Sequence, residues 1–226
     1  MLRGMHDVLE KLSRCVEHGK VDRSSAFPPE LRGEPGADEL CREALAGGVP
    51  PQQILSDALV TGMARIGERF ARGKAFVPHM LLSARAMTAA MAHLRPFFAS
   101  GEVRRRGVFV VGTVAGDLHD IGKNIVAMMV EGAGWEVVDL GVDVGAERFL
   151  AELEARPGAV VGLSAMLTTT MVNMAKIVAD LRVRHPARQI LVGGAPLDAE
   201  FARSVGASFY SPDPQGAIEH LRSLAA

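Results

Sequence analysis

The sequence predicts an α/β protein in two parts: a helical domain over residues 1–98 and a doubly wound, five-stranded parallel sheet over residues 99–226. The first observation is that residues 1–98 contain no β-type apolar run and show apolar residues at helical spacing. The second is that short, continuous apolar runs alternate with helical segments from about residue 105 onward. Continuous apolar runs are typical of parallel strands that are buried on both faces.

Four helices with short connections are predicted in the first part, which is typical of a small bundle. The third begins at Pro50 and Pro51, and the fourth begins near Pro78 and ends before Pro96. Proline suits the first turn of a helix and disrupts its interior, so prolines predict the starts of the third and fourth helices and the end of the fourth. The predicted helices lie within residues 9–19, 37–48, 52–73 and 77–98.

Five strand–helix pairs are predicted in the second part. Right-handed crossovers between parallel strands make such a sheet doubly wound, and its ligands bind beyond the carboxyl ends of the strands. The predicted strands lie within residues 107–114, 135–141, 159–166, 189–195 and 207–212.

Composition excludes several classes of function. The formal net charge is −1 with both signs scattered along the chain, so nothing favours nucleic acid or an anionic membrane as a partner. No apolar run is long enough to span a bilayer, and the N-terminus has no signal-peptide pattern, so we expect a cytoplasmic protein. Cys15 and Cys41 are too few and too far apart for a disulfide framework or a Cys-x-x-Cys metal or redox site, and we expect buried or half-buried thiols.

Polar residues and glycines gather where the predicted strands end. Asp117 and His119 follow the first strand, the segment 164–170 follows the third, and Asp213 follows the fifth. Glycine allows a ligand to approach the backbone closely, and hydroxyls supply donors and acceptors, so these loops suit a long polar ligand. The glycine patterns of dinucleotide and nucleoside-triphosphate sites do not occur at the first strand, which disfavours those ligands.

His119 is the candidate metal ligand at this edge. A carboxylate that bonds one imidazole nitrogen fixes the tautomer and makes the other nitrogen a better ligand, and Asp117 stands two positions away. A single protein ligand would hold a free metal ion poorly. It suffices for a metal that is already held by a macrocycle.

Three short patterns on these loops resemble the cobalamin-binding signature Asp-x-His-x-x-Gly, Ser-x-Leu and Gly-Gly. Residues 62–87 resemble the helical cap of cobalamin-dependent methionine synthase and of the small methyltransferase corrinoid proteins, and the resemblance covers the chain from about Ala37 onward. It implies a four-helix cap followed by a flavodoxin-like sheet. The matching signature residues are Asp117, His119, Gly122, Ser164, Met166, Gly193 and Gly194.

The resemblance implies a role for each matching residue. His119 should coordinate cobalt in place of the cofactor's own base, with Asp117 and Thr170 completing a hydrogen-bonded relay. Ser164 and Thr168 should bind the displaced nucleotide tail, for which Gly122, Gly193 and Gly194 leave room. Met166 stands where the pattern has leucine, and Phe70 and Val77 match cap positions that shield the upper face. Leu118, Asp120, Ile121 and Asp213 complete the predicted cofactor-binding set.

The implied cofactor is cobalamin, as methylcobalamin or a related corrinoid, bound base-off/His-on. The implied function is to carry a methyl group from a donor-specific methyltransferase, acting on a methylamine, methanol or a methoxy compound, to a second methyltransferase. The acceptor would be a folate, a pterin or a thiol. The chain would be the methyl-carrying subunit of this system and no stand-alone enzyme. A reductive activase is a further candidate partner, because the chain has no cysteine set for an iron–sulfur cluster.

Other interpretations remain open at this point. A cobalamin- or light-sensing regulator would use the same cap and sheet, although no helix-turn-helix is apparent. The small subunit of a cobalamin-dependent mutase would share the signature but not the cap. A flavodoxin-like domain without a corrinoid is the plainest alternative. Among single residues, Asp120 is expected to cap the following helix, and Lys123 is expected to face solvent at its start, with a role near the tail phosphate as the alternative.

Overall fold

The structure is a computed structural model that describes residues 2–224, with side chains described for residues 6–224. It divides into two compact units. One extends to Arg105 and includes Gly132–Gly134, and the other comprises Arg106–Glu131 and the chain from Trp135 onward. The division into domains 1–98 and 99–226 stays a prediction. No described helix is both long enough and apolar enough to cross a membrane.

Four helices form the helical unit, and each packs on at least two others. The first contacts the second, third and fourth, because its buried face is continuous through Leu12 and Val16. The second and third also contact the fourth. The helices are α1 (Leu2–His18), α2 (Ala37–Ala46), α3 (Pro51–Gln53) with α4 (Thr61–Ala71), and α5 (Val77–Ala99), with a 3-10 turn at Pro29–Leu31.

Two details of these helices differ from the sequence prediction. The third helix passes through a π-helical segment, Ile54–Val60, between α3 and α4, and the Thr61 hydroxyl donates to the Ser56 carbonyl five residues back at 3.1 Å. The prediction that α5 ends before Pro96 is wrong, because the helix continues to Ala99. Pro96 removes the hydrogen bond to the carbonyl four residues back, and Ala92 is exposed there, so water can satisfy that carbonyl.

The second unit is a five-stranded parallel sheet in which the first strand lies between the second and the third, followed by the fourth and the fifth, which confirms the predicted doubly wound, flavodoxin-like fold. Its buried core lies between the sheet and the covering helices and is built from aliphatic side chains with Phe149. The elements are β1 (Val108–Thr113), α6 (Ile121–Gly132), β2 (Glu136–Asp139), α7 (Ala146–Ala155), β3 (Val160–Ser164), α8 (Met171–Arg184), β4 (Ile190–Gly193), α9 (Ala199–Ser204), β5 (Phe209–Tyr210) and α10 (Pro214–Leu224).

Strand register brings the polar strand ends into one row. Thr113 of β1 pairs with Ser164 of β3, and Ser164 pairs with Gly193 of β4. All strands are parallel, so the loops after them leave the same edge of the sheet. The three signature loops are therefore neighbours in space.

Both cysteines are buried free thiols, as the sequence predicts. Burial raises the pKa of Cys15 to about 11 and that of Cys41 to about 12. Thiolate chemistry is therefore suppressed at both positions near neutral pH.

Candidate functional site

Asp117 is the centre of the site and is completely buried. Its Oδ2 accepts from the Met166 backbone N–H at 2.7 Å and from the Thr170 hydroxyl at 2.8 Å. Its Oδ1 accepts from the His119 backbone N–H at 3.0 Å. Burial by itself would raise the pKa of Asp117, but the hydrogen bonds from Met166, His119 and Thr170 outweigh it and hold the pKa well below 3.8. The carboxyl is therefore ionised at neutral pH.

His119 places one ring nitrogen on this carboxylate and leaves the other outside. Its Nδ1 lies 2.8 Å from Asp117 Oδ1, while its side chain is 56% exposed. An ionised carboxylate can only accept, so a neutral ring carries its proton on Nδ1 and keeps a lone pair on Nε2. The arrangement presents a metal ligand whose tautomer and direction are fixed.

Thr113 anchors the loop that carries the histidine. Its side chain is fully buried at the end of β1, and its hydroxyl donates to the His119 carbonyl at 2.9 Å. Thr113 is not among the site residues predicted from the sequence. The available signal was a hydroxyl residue closing an otherwise apolar buried strand, because a buried hydroxyl requires a partner.

Large exposed apolar side chains occur close to His119 in the chain. Leu118, in the loop between β1 and α6 that carries His119 (residues 114–120, the histidine loop), is 72% exposed, and Ile121, the first residue of α6, is 69% exposed. Met166 and Leu167, on the loop after β3, are also exposed. Because Met166 N donates to Asp117, the two loops are joined at this point. Four exposed apolar side chains beside one polar ring suit a large, mostly apolar ligand with a central metal.

A cavity of about 350 Å³ opens at the carboxyl ends of the strands. Apolar residues of the strands form much of its wall, and polar atoms come from the loops. A Cβ added at Gly122 would meet nothing within 4 Å, and one at Gly193 would meet only the Ser211 carbonyl at 3.8 Å, so side chains there would occupy the cavity. The predicted site residues that line it are His119, Gly122, Ser164, Met166, Gly193, Gly194 and Asp213.

Gly194 is required by its backbone and by its neighbour. Its φ is +142°, a region that side chains with a Cβ rarely adopt. A Cβ there would lie 1.8 Å from the Ala165 carbonyl oxygen. The loops after β3 and β4 approach each other this closely only because the residue is glycine.

Lys123 corrects the sequence analysis, because it is buried and does not face solvent. Its ammonium donates to Asp139 at 2.5 Å and to the Asn124 side-chain oxygen at 2.7 Å, and its side chain lines the cavity. Asp139 ends β2, which lies beside β1, so the ion pair ties the start of α6 to the edge of the sheet. The partner is distant in sequence, which is why the local pattern suggested an exposed lysine.

Comparison with known proteins agrees with these patterns. Residues 107–217 match the model of the B12 binding domain, and residues 33–95 match a second B12 binding domain model. Trimethylamine corrinoid protein 1 of Methanosarcina acetivorans is 36% identical over 207 residues, covering 90% of this chain and 94% of that protein. The dimethylamine corrinoid protein of Methanosarcina barkeri is 36% identical over 223 residues, covering 97% and 98%.

The chain belongs to the corrinoid proteins of methyltransferase systems. It is a cobalamin-binding methyl carrier that works with methyltransferases, so the methyl-transfer interpretation prevails over the regulator and mutase alternatives. A cobalamin-binding protein from Desulfitobacterium hafniense superposes with a TM-score of 0.71 at 27% identity, covering 94% of this chain and 97% of that chain. The methanol:cobalamin methyltransferase complex MtaBC of Methanosarcina barkeri shares the fold, with a TM-score of 0.82 at 24% identity over 97% and 80%.

The residues of this corrinoid protein fit a metal that is held by a macrocycle. Among the described residues, no three His, Cys, Asp or Glu side chains come together as ligands for a bare ion. His119 offers one nitrogen, the surrounding apolar side chains suit a flat macrocycle, and the glycine-lined cavity suits a long substituent.

Several predicted contacts lie away from the cavity or serve the fold. Thr168 is exposed and is not among the cavity-lining residues. The carboxylate of Asp120 accepts from the Asn124 side chain at 3.0 Å, one turn into α6. Asp213 accepts from the Gly216 backbone N–H at 2.8 Å at the start of α10.

The cavity-lining residue Tyr210 was not predicted from the sequence. The two predicted cap residues, Phe70 and Val77, belong to the helical unit. Tyr210 ends the last strand and lines the cavity. Phe70 lies in α4 and Val77 begins α5, and both are half-buried within the helical unit.

Proposed function

We propose that this corrinoid protein binds cobalamin base-off/His-on, with His119 Nε2 as the lower ligand of cobalt, and that it carries methyl groups in this state. The observation that supports the proposal is the fixed imidazole: its Nδ1 is 2.8 Å from a buried, ionised carboxylate, and the ring is otherwise exposed. When bound, the corrinoid supplies the cobalt centre that accepts and releases the methyl group.

Asp117 and Thr170 set the basicity and direction of the imidazole in this proposal. The carboxylate accepts a hydrogen bond from the Nδ1–H group, which raises the electron density at Nε2. The Thr170 hydroxyl donates to the same carboxylate at 2.8 Å, and it is itself buried. Because Asp117 and Thr170 are both buried, the carboxylate that orients the imidazole is shielded from water.

The cavity at the strand ends would receive the nucleotide tail. Ser164 supplies a hydroxyl at its wall, and Gly122 and Gly193 leave it open. Among the lining residues, Lys123 is the one lysine or arginine, and a positive charge there would suit the phosphate of the tail. Phe70 and Val77 of the helical unit are retained as the proposed shield of the upper face.

We infer that the methyl donor is a methylated amine, because the relatives named above are trimethylamine and dimethylamine corrinoid proteins. A donor-specific methyltransferase would load the methyl group, and a second methyltransferase would pass it to a folate, pterin or thiol. A reductive activase would restore cobalt after oxidation, because both cysteines are isolated, buried thiols.

The test is electron paramagnetic resonance of the cobalt(II) form, bound to protein that is uniformly labelled with ¹⁵N-histidine. Nitrogen ligation by His119 predicts that ¹⁵N labelling changes the hyperfine pattern, and that His119→Ala abolishes this change while cobalamin affinity falls about 10- to 100-fold. His93→Ala is the matched control, because His93 also pairs with a carboxylate, Asp38, at 2.7 Å but lies in the helical unit. A wild-type spectrum that does not respond to the label would contradict base-off/His-on binding.

A further inference from the structure

Asp143 lies in the loop after β2 and has an unusual backbone. Its φ is +55°, and it is the one non-glycine residue among residues 2–224 with a positive φ. Side chains with a Cβ rarely adopt this left-handed region, although aspartate and asparagine tolerate it better than other residues. A glycine would adopt it without strain, as Gly141 does two residues earlier with a φ of +85°. The aspartate therefore needs a compensating interaction.

Two hydrogen bonds supply that interaction, and both reach the loop that carries the histidine. The Gly116 backbone N–H donates to Asp143 Oδ1 at 2.7 Å, and the Asp143 backbone N–H donates to the Asp117 carbonyl at 3.0 Å. The bonded N–H belongs to the peptide unit before the Gly116–Asp117 peptide, and the bonded carbonyl belongs to the peptide unit after it. Asp143 is thus hydrogen-bonded to the chain on both sides of the Gly116–Asp117 peptide bond.

These two hydrogen bonds belong to a larger set that joins the loop after β1 to the loop after β2. Val144 N donates to the Thr113 carbonyl at 2.9 Å, and Thr113 N donates to the Gly141 carbonyl at 3.0 Å. Thr113 in turn holds the His119 carbonyl through its hydroxyl. The histidine loop is therefore fixed from the β2 side by backbone and by Asp143, and from the β3 side by Met166 and Thr170.

We propose that Asp143 is a positioning residue for the cobalt ligand, acting through the backbone of Asp117. It fixes the backbone on both sides of the Asp117 Cα atom. The Asp117 carboxylate is therefore held in one orientation relative to His119. Asp143 is not among the residues that line the cavity, and its Oδ1 accepts from the Gly116 backbone N–H, so we assign it a role through the backbone. The part of this inference that concerns cobalt rests on the proposed function, whereas the ordering of the loop does not.

Three substitutions separate the side chain of Asp143 from its backbone. Asp143→Gly removes the carboxylate and relieves the backbone, so the fold is retained. Asp143→Asn keeps an acceptor oxygen and tolerance of positive φ, so it should restore wild-type behaviour. Asp143→Ala removes the carboxylate and keeps the strain. Asp198→Ala is the matched control, because Asp198 accepts from the Phe201 backbone N–H at the same 2.7 Å, outside the cavity lining.

Two measurements are made on each variant. In the cobalamin-free protein, hydrogen exchange of the Gly116 amide should accelerate about 10-fold in Asp143→Gly and Asp143→Ala relative to wild type. In the same two variants, the affinity for cobalamin should fall about 5-fold. The cobalt(II) spectrum with ¹⁵N-histidine should show a smaller fraction of cobalt that is ligated by histidine. Asp143→Asn and Asp198→Ala should match wild type in both.

Each remaining outcome decides the inference. Equal Gly116 exchange in wild type and Asp143→Gly overturns it, and so does a failure of Asp143→Asn to restore the wild-type values. If Gly116 exchange accelerates as expected but the histidine-ligated fraction of cobalt is unchanged, Asp143 does not position the cobalt ligand. The proposed function is then unaffected. A wild-type protein without histidine ligation overturns the proposed function instead, and Gly116 exchange then decides whether Asp143 orders the loop.

Discussion

The two units bury polar side chains in different ways. In the helical unit, Lys20 donates to the Ser25 carbonyl at 2.8 Å and Ser83 donates to the Glu17 carbonyl at 3.0 Å, each as a separate bond to backbone. In the α/β unit, Thr170 donates to Asp117 and Thr113 donates to the His119 carbonyl, so three of the buried polar groups meet at the loop that carries His119. Lys123 pairs with Asp139 at the edge of the sheet instead. The buried polar side chains are Ser13, Lys20 and Ser83 in the helical unit and Thr113, Asp117, Lys123 and Thr170 in the α/β unit.

This difference separates polar groups that hold the fold from those that prepare a ligand. An isolated bond to a carbonyl satisfies one buried group and fixes one turn. In the α/β unit, the network around Asp117 ends at an imidazole that is more than half exposed. A network that orders one exposed group is expected where a site must be rigid before its ligand arrives.

Removing the centre of the network should have the largest effect. Asp117→Ala would leave the Met166 N–H, the His119 N–H and the Thr170 hydroxyl without their acceptor, so we expect a loss of about 3 kcal/mol in the free energy of unfolding. Asp117→Asn keeps the shape and part of the acceptor capacity and should lose less, about 2 kcal/mol. Guanidinium unfolding measures both. A loss below 1 kcal/mol in Asp117→Ala would show that the network does not stabilise the unit.

Acid should remove the same stabilisation in the wild type. The pKa of Asp117 is lower in the folded state than its ordinary value of 3.8, so its contribution is complete above pH 3.8 and is lost as pH falls below it. Unfolding free energy measured from pH 6 down to pH 2 should therefore fall less steeply at the acid end in Asp117→Asn than in wild type. Parallel curves would contradict the assignment of this acid sensitivity to Asp117.

The sequence was sufficient to predict the parts of this network that lie close together in the chain or on one sheet edge. Asp117 and His119 are two residues apart, and parallel strands bring the loop of Ser164 and Thr170 to the same edge. It was not sufficient for contacts made by distant elements. The burial of Lys123 depends on Asp139 of the adjacent strand, and the role of Asp143 depends on a backbone angle that the sequence does not reveal.

The ion pair of Lys123 sharpens the comparison because it has a counterpart in the helical unit. Lys123→Met retains the apolar stem and loses the bond to Asp139, which is about 39% exposed, so we expect a loss of about 1–2 kcal/mol in unfolding free energy. Arg65→Met breaks a pair with Glu10 in which both side chains are more than a third exposed, and should cost about 0.5 kcal/mol or less. Equal losses of unfolding free energy in Lys123→Met and Arg65→Met would mean that burial of Lys123 does not strengthen its ion pair with Asp139.

The smallest effect on the cobalt site is expected from Ser83→Ala in the helical unit. The substitution removes one hydroxyl and leaves the Glu17 carbonyl without this donor, so the loss in unfolding free energy should be about 1 kcal/mol or less. The decisive readout is the labelled cobalt(II) spectrum, which should be identical to that of wild type because Ser83 belongs to no network that reaches His119. Thr170→Ala, its counterpart in the α/β unit, also removes one buried hydroxyl, but this hydroxyl donates to Asp117. If Ser83→Ala lowered the histidine-ligated fraction as much as Thr170→Ala, the distinction between polar groups that hold the fold and polar groups that prepare the ligand would be wrong.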